Sequence, residues 1–282
     1  MQSAFTDGKE KGIWILYPLT PKNRISWKKE IHMPEKYATY YPATRIYSDG
    51  RTEDIKVLLA RECPVKLFLD GKLFTTLFAS PLELKELAVG HLITEGIVSF
   101  RGIESVEVEG NEVNILTRKD KQLLRTKTAK EAEKEEKVSK EIFVDSASVF
   151  EPEVLFAGTG HLESDTYKLT RGTHLAALID IKGKVSVRIV DVGRHNAVDK
   201  AVGSAFFKGL DLSQHYMLST GRQPAYMVTK VARAGIPLVA TKAMPFDSGV
   251  EAAKNTNVCL IGQLRKESML IFASEWRVKT KR

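Results

Sequence analysis

VDVGRHNAVDK, residues 190–200, sets a glycine, an arginine, a histidine and two aspartates at the junction of two different hydrophobic periods. Upstream, Val185, Val187 and Ile189 alternate with Ser186 and Arg188, the period of a half-buried strand. Downstream, Val198, Ala201, Val202, Ala205 and Phe206 recur at helical spacing, with Asn196 placed to cap the start and Gly209 to end it. The pattern predicts a strand-to-helix turn at 191–195. Such a turn gathers free backbone N–H groups at the positive end of a helix dipole, and Arg194 and His195 add side-chain donors there, so an anion suits it. A second reading fits the same residues: Asp191, Arg194 and Asp199 as local ion pairs on a solvated loop.

Outward from this turn, the second half reads as strands alternating with helices. Residues 175–181 form a strand, 182–184 a tight turn, and 185–190 the strand that enters the motif. Residues 216–219 form the next strand, ended by Thr220-Gly221-Arg222-Gln223-Pro224, with a helix after it to Ala234 and Gly235 closing it. Residues 236–240 follow as a strand, ended by Thr241-Lys242-Ala243-Met244-Pro245, and Asp247 or Ser248 is placed to cap the next helix. Residues 258–262 and 269–272 flank Gln263-Leu264-Arg265-Lys266-Glu267-Ser268, a link too short for a crossover, so they predict a hairpin. The fold class expected is α/β, α+β overall, with a layered α/β domain and a mixed sheet over residues 141–282. Ligands collect at the carboxyl ends of strands in such sheets, and Arg194, Arg222 and Lys242 each stand in a turn at one of those ends. Gly193 and Gly221 would let the backbone approach a phosphate closely.

The first half is organised differently. Residues 1–50 are rich in Lys, Tyr and Pro with little periodicity, and read as an N-terminal arm. Residues 51–140 read as a small α+β domain. Ile55, Val57 and Leu59 alternate as a strand; Val65, Leu67 and Leu69 alternate before Asp70-Gly71, a hairpin signal, and Leu73, Thr75 and Leu77 return. Ser80-Pro81-Leu82-Glu83 has the form of an N-cap, a first-turn proline and a capping-box glutamate for a helix running to about Glu95, with Gly96 to stop it. His91 falls on the apolar face of that helix, where a histidine is more often a core residue than a ligand. Val106/Val108 and Val113/Ile115, around Gly110-Asn111, predict another hairpin. Residues 118–140 mix both signs of charge and read as an exposed helix or linker closing this domain.

Composition narrows the function classes. A chain of 282 residues with 43% apolar content can bury a substantial core. It contains no apolar run of the roughly 18 residues a membrane span needs and no secretory-signal layout, so a cytoplasmic protein is expected, with no membrane partner. Cys63 and Cys259, the 2 cysteines, have no metal-ligand spacing and read as small buried hydrophobes. No metal is expected. The formal charge of +8 suits an anionic partner. Nucleic acid is disfavoured, because glutamates neutralise the lysine-rich 118–140 stretch and no aromatics are interleaved there. His161-Leu162-Glu163 is an H-x-E fragment of the kind found in zinc deaminases, but the P-C-x-x-C partner such a site needs is absent.

ASPLELKELAVGHLITEG (79–96), TRGTHLAAL (170–178), DVGRHNAVDK (191–200), STGR (219–222) and CLIGQLR (259–265) together resemble the FdhD family of formate dehydrogenase accessory proteins, in order and approximate spacing. The resemblance implies a cytidine-deaminase-like larger domain. It also implies a cytoplasmic homodimer that takes sulfur as a persulfide from a cysteine desulfurase and passes it to the molybdenum cofactor, Mo-bis-molybdopterin guanine dinucleotide, destined for formate dehydrogenase. Gln263, Leu264, Arg265, Lys266, Glu267 and Ser268 match the segment through which the family contacts the cofactor. With Gly193, Arg194, His195, Gly221, Arg222, Lys242 and His174 they form the expected binding set, which should accept a ligand such as GDP or GMP. The family's sulfur-carrying cysteines are replaced here within Ser146, Ala147 and Ser148. Serine cannot take up a sulfane sulfur, because the step needs a thiolate. The sequence therefore carries no catalytic residue at that position, and implies either the family function or a cysteine-less escort that binds the cofactor alone. Arg171, Val190, Thr220 and Gln263 are further departures from the family pattern. A non-enzymatic nucleic-acid binder is the reading that the basic charge alone would support.

Overall fold

The structure, a computed structural model, describes residues 37–118 and 142–280. The charged 118–140 stretch and the domain boundary expected near residue 140 fall almost wholly outside the described residues, as does most of the N-terminal arm.

Strands β1 (Ala38–Ile46) and β2 (Thr52–Ala60) pair antiparallel as a two-stranded ribbon. β1 lies within the stretch read as an N-terminal arm, of which residues 37–50 are described. Its sequence, ATYYPATRI, hides the strand because most of it is exposed, so neither face is marked by a run of apolar residues. β3 (Cys63–Leu69) and β4 (Lys72–Ala79) form the predicted hairpin, with Asp70 and Gly71 at φ 49° and 77°, the left-handed pair that a two-residue hairpin turn requires. β5 (Ile103–Glu109) and β6 (Glu112–Thr117) form the second hairpin, and a parallel β3–β6 pairing joins the two into a sheet of order β4-β3-β6-β5. Helix α1 (Leu84–Thr94) begins three residues later than the capping signal suggests. Glu83 occupies the cap position at φ 49° without a side-chain bond, because Ser80 is used elsewhere.

The second half builds a six-stranded mixed sheet in the order β12-β11-β10-β9-β7-β8. Its strands are β7 (His174–Asp180), β8 (Val185–Asp191), β9 (His215–Ser219), β10 (Leu238–Thr241), β11 (Cys259–Gly262) and β12 (Leu270–Ala273). β9, β10 and β11 run parallel, while β7 and β12 run against their neighbours. Both faces are covered. On one side Ala176, Leu178, Met217, Val239 and Leu260 pack with α1, α4 (Arg194–Lys208), α5 (Ala225–Arg233) and α6 (Asp247–Thr256), in a core continuous with that of the four-stranded sheet. On the other, Leu175, Ala177, Ile179, Tyr216, Leu218 and Ile261 pack against Phe150, Leu264, Val278 and helix α2 (Pro152–Gly158). A short helix, α3 (Asp165–Thr170), precedes β7. The expected mixed α+β class with mixed sheets is the class observed.

α1 and α4 meet at glycines. A Cβ on Gly90 would lie 1.7 Å from the Asp199 carbonyl oxygen, and one on Gly203 would lie 1.9 Å from that of Glu86, so the two backbones touch where no side chain fits.

Candidate functional site

Asp191 organises the strand-to-helix turn. Its Oδ1 accepts from Gly193 N (2.8 Å) and Asn196 Nδ2 (3.1 Å), and its Oδ2 from Ser80 N (3.0 Å) and Lys200 Nζ (2.6 Å). Lys200 also donates to Ser80 O, and Ser80 Oγ accepts from Val192 N. Asn196, expected as a cap, instead donates to Asp191 and to Phe78 O, while Gly193 holds the cap position. The missing Cβ of Gly193 makes room for the Asn196 amide, 2.7 Å away, rather than for a ligand. One turn on, Asp199 accepts from Lys230 Nζ (2.8 Å) and Thr94 Oγ1 (2.7 Å), and His91 Nδ1 lies 3.0 Å away. Burial alone would raise the Asp199 carboxyl, but Lys230 and His91 outweigh it and hold it below the ordinary carboxylate range. The ion-pair reading thus holds for Asp191 and Asp199, but the pairs are buried instead of lying on a solvated loop: the first fastens β8 to α4, the second α4 to α5 and α1.

The cationic residues of the motif lie at the edge. Arg194 Nη2 donates to Tyr226 OH (2.5 Å), and the His195 ring sits 4.8 Å from the Tyr226 ring. Gly221 is pressed against Arg194, since a Cβ there would lie 2.9 Å from Arg194 side-chain carbons. Arg194 Nε and His195 Nε2 are buried without a hydrogen-bond partner among the described residues. Burial, then the Arg194 and Lys230 charges, push the His195 imidazole down to about 4, so it is neutral at pH 7.

Because β7 is antiparallel to β8 and β9, its first residue, His174, lies opposite Asp191 at the edge where β8, β9 and β10 end. A pocket of about 90 Å³ opens there, lined by Leu162, Ser164, Tyr167, Thr173, His174, Leu175, Thr220 and Lys242. Thr220 Oγ1 accepts from Leu175 N (3.0 Å) and lies 3.3 Å from His174 Nδ1. With that hydroxyl donating to Nδ1, the other ring nitrogen is left as an N–H donor. Burial, then Arg194 and Lys242, lower the His174 pKa, so this donor is uncharged. Thr173 is 6% exposed, and its hydroxyl has no hydrogen-bond partner among the described residues. The edge therefore collects cations and idle donors, a chemistry made for an anion.

The remaining expected site residues are distributed around this edge. Lys242 Nζ lies 5.4 Å from the centre of the Tyr167 ring, and Arg222 is exposed with its guanidinium 5.5 Å from that of Phe246. In the 263–268 link, Gln263 adopts φ 48° and donates its N–H to Ala243 O. Leu264 is 1% exposed and belongs to the core. Arg265 donates to Lys242 O (2.5 Å) and Leu264 O (3.1 Å), while its own N–H reaches Ser268 O, so its guanidinium ties the link to the Lys242 turn. Lys266, Glu267 and Ser268 are exposed beside it. Sequence reasoning passed over Ser164, Tyr167 and Thr173. Thr173 carried a signal, a hydroxyl next to His174 within TRGTHLAAL; Tyr167, in a six-residue helix, carried none. Among the described residues no group of His, Cys, Asp or Glu is arranged to hold a metal ion.

The model of the FdhD/NarQ family matches residues 60–279. The chain belongs to that family. The FdhD-family relatives include Protein FdhD of Methanocaldococcus jannaschii, 30% identical over 78% of this chain and 90% of its own, and the sulfur carrier protein FdhD of Bacillus subtilis, 26% identical over 83% and 95%. A crystal structure of a candidate formate dehydrogenase accessory protein from Desulfotalea psychrophila superimposes with a TM-score of 0.74, covering 86% of this chain and 100% of that one at 22% identity; it shares the fold.

In this FdhD-family chain the segment standing where the family's cysteines are expected runs along the opposite edge of the sheet. Ser146 Oγ and Ser148 Oγ both donate to Ser213 O (2.9 and 2.7 Å), just before β9 begins, and Ala147 between them is exposed. From His215 to Thr220, five steps along the chain at about 3.3 Å each put roughly 17 Å between that edge and the pocket. The segment is held by Arg277, which is fully buried and donates to the carbonyls of Val144, Ser146 and Asn257. Cys259 is buried as expected, whereas Cys63 is only partly buried; burial raises the pKa of both thiols, Cys63 above its ordinary value and Cys259 up to about 12, which disfavours the thiolate in each. No helix among the described residues is long and apolar enough to cross a membrane.

Proposed function

We propose that the chain is an FdhD-type accessory protein of formate dehydrogenase that holds the bis-molybdopterin guanine dinucleotide cofactor at the carboxyl edge of its six-stranded sheet. The observation that carries this reading is the convergence of Lys242, His174 and the partnerless Thr173 hydroxyl on one pocket, with Arg194 and His195 in the adjoining turn. The cofactor's pyrophosphates and guanines need cations and N–H or O–H donors, and the residues present fit that need. Lys242, Arg194 and Arg222 would neutralise phosphate charge, while His174 and Thr173 would donate hydrogen bonds. When bound in its client enzyme, the molybdenum centre supplies the electron-accepting chemistry of formate oxidation. The names of the relatives, among them sulfur carrier protein FdhD, support the same pathway. A homodimer acting in the cytoplasm with a cysteine desulfurase and formate dehydrogenase completes the proposal.

The thiol chemistry favours the escort form of this function, without sulfur transfer through a persulfide. The only two cysteines both have raised pKa values, and Ser146, Ala147 and Ser148 stand where the family's cysteines are expected. Titration calorimetry at low salt tests the site: GMP or GDP should bind, with affinity falling as salt rises, and absence of binding refutes the assignment. Mass spectrometry after incubation with a desulfurase and cysteine should show no added sulfur, and a persulfide on Cys63 or Cys259 overturns the escort form.

A further inference from the structure

Arg171 ends α3 in a left-handed conformation, φ 56°, with Gly172, which would adopt that backbone at lower cost, immediately after it. A long cationic side chain at such a position is disfavoured locally, so its placement calls for a reason elsewhere in the structure. The guanidinium lies 5.5 Å from the centre of the Tyr167 ring, the same ring that has Lys242 Nζ 5.4 Å from its centre. Among the described residues neither cation has a carboxylate within ion-pair distance, although Glu163 and Asp165 of the same region pair with Lys168. The charge nearest Lys242 is that of Glu163, which is itself taken up by Lys168, so the two cations on one aromatic ring leave room for an anion. Tyr167 and Lys242 both line the pocket, as does Thr173, whose buried hydroxyl has no partner among the described residues.

We propose that Arg171 and Lys242, held by Tyr167, form a two-cation grip for a phosphate group of the pocket's ligand, and that Arg171 sets the preference for phosphorylated over unphosphorylated ligands. This rests on the pocket being the ligand site proposed above. Tyr167 fixes the two long side chains before binding, so less side-chain freedom is lost when the anion docks. Thr173 and His174 then donate to the same group from the floor of the pocket. Arg171 contributes a two-pronged donor that a lysine there could not.

The test is calorimetry with inorganic pyrophosphate, GMP and guanosine on the full chain and on Arg171→Gln and Arg171→Gly. Pyrophosphate and GMP should each bind about tenfold more weakly to either variant, the loss of one charge-assisted contact, with guanosine unchanged. Arg171→Gly should also keep or raise the melting temperature, because glycine suits φ 56°; a residue serving only stability would show the reverse. Unaltered pyrophosphate and GMP affinity in both variants, or no pyrophosphate binding by the parent chain, overturns the grip. If pyrophosphate binding depends on Arg171 while GMP binds no better than pyrophosphate, the grip stands and the guanine-nucleotide reading falls.

Discussion

Lys200 Nζ sits 2.6 Å from Asp191 Oδ2, with both side chains fully withdrawn from solvent. The pair closes the strand-to-helix turn from inside, since Asp191 also receives three N–H donors and Lys200 also reaches Ser80 O. Asp191→Asn would remove the counter-charge and turn an amide nitrogen toward Ser80 N–H or Gly193 N–H. Breaking one side of a buried pair costs about 3–5 kcal/mol, because the other charge stays buried. Urea unfolding should show a loss of that size; a loss under about 1 kcal/mol would mean that solvent reaches the turn.

The α1–α4 contact predicts a second large effect from a small change. Gly90→Ala and Gly203→Ala each drive a methyl group into a partner-helix carbonyl, at 1.7 and 1.9 Å, and backbone cannot step aside as a flexible side chain can. Overpacking of this kind costs about 1–3 kcal/mol or more. Gly160→Ala is the control, since nothing lies within 4 Å of a Cβ there. Melting temperatures should fall for the first two and stay for the third, and equal behaviour of all three would refute the close crossing.

His195 should titrate far below an ordinary histidine, with a midpoint of about 4, because burial and then the Arg194 and Lys230 charges disfavour its cation. The folded pKa is depressed, so between 6.5 and about 4 the unfolded chain binds a proton that the folded chain refuses. Its contribution therefore lowers stability as pH falls through that window and adds nothing above it. Arg194→Gln should raise the midpoint. Imidazole resonances followed by NMR decide this, and a midpoint near 6.5 in the parent chain contradicts the buried, cation-flanked position.

Much of this architecture was legible in the sequence where local chemistry and tertiary structure agree. Asp70-Gly71 announced its hairpin, and the helix before Gly209 was visible in its period. The capping box at Ser80 was misleading for a physical reason: the serine that would cap α1 is drawn into the Asp191–Lys200 centre, 111 residues away in sequence for the Ser80 N bond, so a long-range contact overrides the local one. Asn196 failed as a cap for the same reason. The three cationic turns were readable because they follow strand ends, and the sheet brings them to one edge. Tyr167 was not, because it stands in a six-residue helix without a periodic signature; the Thr173 hydroxyl beside His174 was visible, but its place at the pocket depends on β7 running antiparallel to β9.

Arg222 and Arg194, alike in the sequence, should behave differently. Arg222 is exposed beside Phe246, so Arg222→Ala should lose about 1.5–3 kcal/mol of GMP affinity, the range for a charged hydrogen bond, at little cost in stability. Arg194 is half-buried, bonds Tyr226 and fills the space left by Gly221, so Arg194→Ala should lower both affinity and melting temperature. Paired calorimetry and thermal melts check this; equal stability losses for the two would mean that Arg222 is also a structural residue.

Restoring cysteines at the serine segment should not restore a reactive thiol. Ser146 and Ser148 are 9% and 8% exposed, and both hydroxyls point to Ser213 O, an acceptor that favours a protonated partner. A Cys at either position would be desolvated, which raises its pKa, and would face a carbonyl oxygen that disfavours a thiolate. The buried Arg277 charge works the other way, but its N–H groups are already engaged by the Val144, Ser146 and Asn257 carbonyls. Ser146→Cys and Ser148→Cys, separately and together, should therefore fold and react with iodoacetamide at pH 7.5 more slowly than free cysteine. Adding Arg277→Met should accelerate the reaction, because the segment loses the guanidinium that ties its carbonyls to that of Asn257. Rapid alkylation of the serine-to-cysteine variants with Arg277 intact would show that this segment opens readily, and that only the missing sulfur separates the chain from a persulfide carrier.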